Sequence, residues 1–453
     1  MTFAIGVAIL LGLMILAVPI GFALGIAGFL SLEMIVPTGL IQAIMGKVVH
    51  ETSSSIVLLT IPMFILMAEF LSCGGVATDL LLACNRALRK VRGGLAMACI
   101  AAGAIHAAAT GSSTASAASL ARASFPAMKL AGYSPGFSVG TISIAGTLAL
   151  MIPPSVAFVI FGIITETSIG RLFLAGIVPG LLTALGYVLT ISLTLWFKPQ
   201  WGPSTADAER AAGEQRGGRI WPMVLLIVII LGGLYSGIAT PTEIASIGAF
   251  GAFLISVATR RMTLPNFLHA VGGTLRITSM IMFIIIAAHV FGYFISFTKI
   301  TDALLTWIAE SGMTPFQAVL VVVFVYLILG MFMDQAAVLI LTAPISTPLM
   351  IGLGYDPVWW GVVMIKTVEI GLVTPPMGLC LFVADSIADV GIGKLARAIL
   401  PFFLVELLVL LILAFVPQTV RRRCLIPSAA LQQARTGTLA WGYSMTARPL
   451  VLM

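Results

Sequence analysis

Met151-Ile152-Pro153-Pro154 recurs 222 positions later as Val373-Thr374-Pro375-Pro376, inside apolar sequence both times. Proline has no N–H to donate and clashes with the preceding turn, so a proline pair breaks a helix. In hydrocarbon such a break is tolerated only where it lines a buried or watery cavity. One break in each half of a chain points to the binding site of a secondary transporter.

Composition sets the class. The 453 residues are 60% hydrophobic and 9% charged, with mean hydropathy +1.12. Soluble domains carry about 25% charge, so this is an integral membrane protein. Its apolar stretches have helix length, not the length of barrel strands. No charged side chain precedes Glu33. The basic n-region of a secretory signal is therefore missing. The net charge of +7 resides in short loops, which is the positive-inside pattern and not a nucleic-acid footprint. Cys73, Cys84, Cys99, Cys380 and Cys424 form no CxxC pair and have no companion histidine in sequence. They read as apolar fillers, not as a disulfide framework or metal site.

The proline pair belongs to a longer register. At the offset of 222, Pro19 matches Pro241, Pro126 matches Pro348 and Pro179 matches Pro401. Gly132-Tyr133-Ser134-Pro135 matches Gly354-Tyr355-Asp356-Pro357. At an offset of 219, Met63-Phe64-Ile65 matches Met282-Phe283-Ile284, Gly93 matches Gly312 and Gly111 matches Gly330. Order kept over a whole half marks a duplicated unit. The charges do not follow the repeat. Arg86, Arg89, Lys90 and Arg92 correspond to Leu305, Ile308, Ala309 and Ser311, and Arg260-Arg261 end a helix whose counterpart ends near Val36-Pro37. Basic residues mark the cytoplasmic side, so the repeats are expected to be inverted.

The expected fold is an all-α integral membrane protein of two inverted repeats, each with a re-entrant helical hairpin and a Pro-Pro broken helix. Residues 1–197 form the first repeat, 198–219 a cytoplasmic linker, 220–417 the second repeat and 418–453 an atypical C-terminal tail. The N-terminal apolar run splits near Pro19, because its counterpart splits at Pro241. Each repeat then has two short helices, a third helix (about 53–72 and 274–296), and an amphipathic connector. A glycine-split hairpin (93–125 and 313–349), the broken helix and a closing helix follow. Ten crossings and a periplasmic N-terminus result. Arg421-Arg422-Arg423 would then be periplasmic, so the tail is either a peripheral extension or a sign that the count is off by one.

The first hairpin turns at Thr110-Gly111-Ser112-Ser113-Thr114, facing the break Ile152-Pro153-Pro154-Ser155. Hydroxyls and freed carbonyls there offer oxygen ligands to a hard cation such as Na+. Gly330-Met331-Phe332-Met333-Asp334 and Val373-Thr374-Pro375-Pro376-Met377-Gly378 form the equivalent pair. Half-helix N-termini suit an organic anion, and the positions assigned to it are Thr110, Gly111, Ser155, Gly330 and Gly378. One anion and two or more cations fit between the breaks. Gly and Ser also serve plain close packing of helices. Asp334 pairs with a cation, a helix end or a proton, or simply caps a helix. Glu243 and Glu369 pose the same choice. Lys366 is either an ion-pair partner of Glu369 or a substrate contact. His106 and His289 read as satisfied core histidines, and Arg86–Arg92 as an interfacial connector.

At these residues the chain resembles the large membrane subunit (DctM-like) of tripartite ATP-independent periplasmic (TRAP) transporters. The matching stretches are Ile61-Pro62-Met63-Phe64, Ala109-Thr110-Gly111-Ser112-Ser113, Met151-Ile152-Pro153-Pro154-Ser155, Ser168 to Gly176, Gly330-Met331-Phe332-Met333-Asp334 and Glu369 to Pro376. The resemblance implies a bacterial inner-membrane permease for small organic acid anions, such as C4-dicarboxylates or sugar acids. It also implies Na+ coupling, a small four-helix membrane subunit (DctQ-like), a periplasmic solute-binding protein (DctP-like) and an elevator-type ion-transporter-like architecture. Carried over, Na+ positions fall at Ser112, Ser113 and Pro153 in one half, and at Asp334, Thr374 and Pro376 in the other. Many relatives have asparagine where this chain has Thr367 and Cys380, which puts the second site's selectivity in question.

A stand-alone ion/dicarboxylate antiporter of the same architecture is the alternative. An enzyme is not expected, since no HExxH stretch occurs, and no P-loop makes ATP the driver. The tail beyond Pro417 is unlike the family's short end, and a frame change near the gene's 3′ end is one reading of it. Deleting residues 424–453 should then leave membrane insertion and transport intact; loss of both in the truncated chain would reject that reading.

Overall fold

The computed structural model describes residues 2–88, 90–203, 221–375 and 377–415. The linker is thus described only as far as Pro203. Arg89, Pro376 and the 418–453 tail, with Arg421–Arg423 and Cys424, lie outside the described residues.

The described residues form helices and connecting turns. The first half contains α1 (Thr2–Ile15), α2 (Ile20–Glu33), α3 (Thr38–Ser54), α4 (Thr60–Cys73), α5 (Val76–Leu88), α6 (Gly94–Thr110), α7 (Ser113–Leu130), α8 (Pro135–Met151), α9 (Val156–Ile164) and α10 (Ile169–Phe197). The second contains α11 (Trp221–Tyr235), α12 (Pro241–Ala258), α13 (Leu264–Thr298), α14 (Ile300–Glu310), α15 (Pro315–Phe332), α16 (Gln335–Gly352), α17 (Pro357–Gly371), α18 (Leu379–Ala388) and α19 (Ile392–Phe415). The element order repeats. The hairpins are α6–α7 and α15–α16, the broken helices α8/α9 and α17/α18, and the closing helices α10 and α19. The α7 and α16 starts, and the α8 and α17 starts, fall at the same offset of 222 as the prolines.

Local chemistry explains the boundaries. A helix leaves its first N–H groups without partners, and several starts here supply a cap followed by proline. Ser134 caps α8 and Asp356 caps α17, the latter accepting from the Val358 and Trp359 amides. Thr240 with Glu243, and Thr314 with Gln317, build capping boxes on α12 and α15. Glu243 is therefore a helix cap. Gly132 and Gly354, at matching positions, both adopt positive φ (82° and 88°) to turn into the broken helices.

The N-terminal split falls at Pro19 as expected, because Pro19 precedes α2 as Pro241 opens α12. The third segment differs between halves. In the second half it is one 35-residue helix, α13. In the first half it is α3, a 3-10 turn over Ile56–Leu59, and α4. The run Thr52-Ser53-Ser54-Ser55 sits at that interruption, and Ser54 Oγ bonds back to the His50 carbonyl at 2.7 Å. Such local bonds compete with the helix ladder, and the second half has no equivalent run.

Among the described residues eight helical stretches are long and apolar enough to cross a membrane, with five shorter apolar helices besides. The centre belongs to the broken helices. Every residue of α8 from Phe137 to Met151, and of α17 from Val358 to Gly371, is buried. Outside them, α13 packs on α2 and α4, and α12 on α4. Arg261 Nη1 donates to the Gly74 carbonyl (2.7 Å) and to Asp79 (2.8 Å), tying the end of α12 to the α4–α5 turn. Of the cysteines, Cys84, Cys99 and Cys380 are buried fillers as expected. Cys73 differs, since its sulfur, Glu69 and His269 bring ligand atoms within 4.8 Å of one another. That histidine comes from α13, too distant in sequence to register as a companion.

The second hairpin touches its broken helix backbone to backbone. A Cβ added at Gly371 would sit 2.6 Å from Gly330 Cα. Gly371→Ala is expected to cost about 1–3 kcal/mol, as overpacking does, read as a lower melting midpoint. Gly393→Ala, where a Cβ meets nothing within 4 Å, should melt like wild type. Equal midpoints for both variants would show that the contact yields freely.

Candidate functional site

The first hairpin tip is built for close approach. α6 ends at Thr110, Gly111 turns the chain with φ 58°, and Ser112 is extended before α7. The Gly111 carbonyl accepts from the Val156 amide at 3.4 Å. A Cβ on Gly111 would lie 2.9 Å from that nitrogen and 3.3 Å from the Pro154 carbonyl oxygen. Only glycine combines this turn with this proximity. The tip thus satisfies one amide that the break exposes. Pro153 precedes a cis bond to Pro154. Ser155 is fully buried, and its Oγ has no hydrogen-bond partner. Thr110 Oγ1 donates to the His106 carbonyl at 3.1 Å, while the Ser112 and Thr114 hydroxyls lie 3.5 Å apart.

The second tip uses different chemistry at the same place. α15 stops at Phe332, and Asp334 Oδ2 accepts from the Ala336 amide at 3.1 Å, capping α16. Of the roles open to Asp334, the structure thus shows the helix cap. Gly330 meets Gly371 and the Val368 carbonyl. At the break, Thr374 Oγ1 donates to the Ile370 carbonyl at 2.5 Å. Gly378 turns with φ 51°, and the Cys380 amide bonds the Leu372 carbonyl at 3.0 Å. Pro376 lies outside the described residues.

The two halves meet at matching positions. Ser113 Oγ donates to Gln335 Oε1 at 3.0 Å, and these residues are 222 apart. A contact between residues at the repeat offset is what a two-fold relation between the halves produces at its axis. The packing is exchanged accordingly: α18 lies against α7, and α9 against α16. Each break's outgoing helix therefore rests on the other half's hairpin. Cys380 stands at this crossing, fully buried at the start of α18. Thr367, the other departure from the family pattern, is buried and bonded to the Val363 carbonyl at 2.8 Å.

The sequence-derived residues thus form two groups. Gly111, Pro154 and Val156 adjoin in the first half, and Gly330 adjoins Gly371 in the second. Gln335 was missed. It lies at the offset of Ser113, but a glutamine opposite a serine gives no identity to notice. Glu406 was also missed. Lys366 Nζ bonds Glu369 Oε2 at 3.0 Å and Thr183 Oγ1 at 2.9 Å, and it pairs with Glu406. Lys366 is therefore an ion-pair partner. Its signal was available, since any ionisable residue inside an apolar span is a site hypothesis. His106 departs from expectation: it is buried, yet neither ring nitrogen has a partner. The apolar run of α6 made burial legible, and satisfaction was not.

Residues 7–419 match the family described as Tripartite ATP-independent periplasmic transporter, DctM component. The C4-dicarboxylate TRAP transporter large permease protein DctM of Pseudomonas aeruginosa is 37% identical over 397 residues, covering 87% of this chain and 92% of that protein. The isethionate TRAP transporter permease protein DctMQ of Oleidesulfovibrio alaskensis is 32% identical, covering 89% of this chain and 63% of that longer one. The solved Alcanivorax borkumensis YdaH transporter aligns with a TM-score of 0.63 at 16% identity, covering 84% of this chain and 88% of that one, a likeness of fold alone. The chain belongs to the DctM component family and is a multi-pass permease of the bacterial inner membrane.

The Ser113–Gln335 bond is open to a double-mutant cycle. A neutral hydrogen bond contributes about 1 kcal/mol, and residues in contact couple non-additively. Ser113→Ala and Gln335→Leu are each expected to lower the melting midpoint, and the double variant to melt no lower than the worse single. Fully additive losses would mean that the two side chains do not interact.

Proposed function

We propose that this DctM-family chain is the permease subunit that imports small organic acid anions on a Na+ gradient, receiving them from a periplasmic binding protein. One observation carries the reading. The N-cap residues Ser134, Thr240, Thr314, Asp334 and Asp356 all bond the first turns of their own helices. Ser112 and Ser155, which open α7 and α9 at the first tip and break, do not. Their helices present uncapped N–H groups and positive dipole ends, the arrangement that binds anions. Ser155 Oγ has no partner beside them, which leaves it free to bond a ligand.

Na+ supplies the driving charge when bound. The oxygen set fits a hard cation: the Ser113 and Thr374 hydroxyls give their protons to Gln335 and to a carbonyl, which leaves lone pairs for a metal. Ser112 and Pro153 at the first tip, and Asp334 with Thr374 and Pro376 at the second, complete the proposed sets. Thr110, Gly111, Ser155, Gly330 and Gly378 are assigned to the anion. Moving one charge through 100 mV supplies about 2.3 kcal/mol, so two or three cations are enough for uphill uptake. The names of the two relatives above, C4-dicarboxylate and isethionate, both denote small organic acid anions. We further assign the two halves to inverted repeats, with the hairpins and broken helices moving together in an elevator-type step. The exposed apolar side chains Leu264, Leu268 and Leu275 on α13 suit a small membrane subunit.

Reconstitution tests the reading. Uptake into liposomes is expected to need an inward Na+ gradient, the binding protein and the small subunit. A purified chain that moves substrate alone would favour the stand-alone antiporter. Loss of one oxygen ligand at about 1 kcal/mol should raise the Na+ needed for half-activation about fivefold in Ser113→Ala or Thr374→Ala. Unchanged Na+ activation in both would remove these residues from the cation sites. Ser155→Ala should weaken anion affinity without lowering the melting midpoint, since it breaks no bond within the protein.

A further inference from the structure

We propose that the buried cluster of Lys366, Glu369 and Glu406 is a proton-binding site, with the proton on Glu406. The inference stands on the cluster's geometry and does not depend on the Na+ reading. Lys366 and Glu369 share one face of α17, Glu406 comes from α19, and Thr183 from α10. All three charged side chains are fully buried. The ammonium has three protons to give. Glu369 Oε2 and Thr183 Oγ1 take two of them, and Glu406 Oε2 lies against the ammonium as an ion pair. Glu369 Oε1 and both Glu406 carboxyl oxygens are left without hydrogen-bond partners.

The charges do not balance. Two carboxylates face one ammonium, and an uncompensated buried charge is strongly disfavoured. Among the described residues the packed neighbours supply no second cation. Helices α8 and α9 carry no charged residue. From α10 come Tyr187, buried, and Arg171, which is exposed and pairs at 3.7 Å with Asp356, the cap of α17. From α15 comes Tyr326, which donates to Ser346. Asp334 caps α16, and α18 carries Cys380 and Asp385, the latter accepting from the Val390 and Gly391 amides. Lys394 and Arg397 lie on α19 itself, the nearer of them roughly 13 Å along the helix from Glu406 at 1.5 Å per residue. A metal ion fits poorly, because a hard cation takes about six oxygens and the centre is already filled by Nζ.

One proton restores neutrality. Glu406 is its place, because Glu369 shares a helix with Lys366 and accepts a hydrogen bond from it, whereas neither oxygen of Glu406 has a hydrogen-bond partner. Among the described residues Glu406 has only the ion pair with the ammonium. The proton so held joins α17 to α19 and α10, and its loss leaves a net negative charge where those helices meet.

Infrared spectroscopy of the full-length chain in lipid nanodiscs tests this. A protonated carboxyl gives a carbonyl-stretch band above the amide region that shifts in D2O. Wild type should show this band at neutral pH, and Glu406→Gln should lose it. Identical carboxyl regions in the two proteins would overturn the proposal. Should that variant fail to accumulate, 13C-glutamate labelling of wild type is an equivalent test, because absence of a label-shifted carboxyl band at neutral pH overturns it too. With Na+ saturating, wild-type uptake should fall as pH rises past the point where the band disappears. Glu406→Gln should hold its rate over that range, and parallel pH profiles would count against the site.

Discussion

A backbone that stops being helical inside hydrocarbon must find partners within the protein. That constraint organises this permease. The helices α8 and α17 stop at Met151 and Gly371 in the most buried part of the molecule, and each stop leaves amides and carbonyls to be answered. The first is answered by a hairpin tip, through Gly111 and Val156. The second folds back on itself, Cys380 to Leu372, while the tip packs at Gly330 against Gly371. Hairpin and break are thus one structural unit in each half. The glycines are required by contact and not by sequence habit, since a side chain there would meet backbone.

The large features were legible because they rest on backbone chemistry that few residues perform. Proline pairs, positive-φ glycines and cap-proline starts recur at a fixed offset, so the repeat, the hairpins and the N-terminal split could be read directly. The extra break between α3 and α4 was not, because it arises from a serine run whose effect is local and weak. The meeting of Ser113 with Gln335 was hidden for another reason. Identity matching finds conserved residues, whereas an axis of pseudo-symmetry joins whatever occupies the two positions. The cap role of Asp334 was one of several readings the sequence left open. Only the three-dimensional bond to Ala336 decides among them.

The two halves have diverged most where they meet. At the repeat offset, Ile144 and Thr147 of α8 correspond to Lys366 and Glu369 of α17. In α8, Thr147 bonds its own helix at Ile144. In α17 the same two positions carry an ion pair that reaches Glu406 on α19 and Thr183 on α10. Burial of charge is expensive, and a buried pair adds little stability by itself. Its retention in the second half alone therefore argues for a role that a Thr–Ile pair cannot fill.

This asymmetry bears on how one fold handles an anion and cations together. The first half offers uncapped starts at α7 and α9, which suit a negatively charged group, beside hydroxyls that can ligate a cation. The second half caps its hairpin with Asp334 and carries the buried charges. A carboxylate cap neutralises the dipole end of α16 that its counterpart, α7, leaves open. An anion approaching the centre thus meets a favourable potential from the uncapped starts of α7 and α9. The duplicated scaffold supplies two equivalent places, and the exchange of Ser112 for Asp334 at the hairpin tips leaves one helix start uncapped and closes the other with a carboxylate.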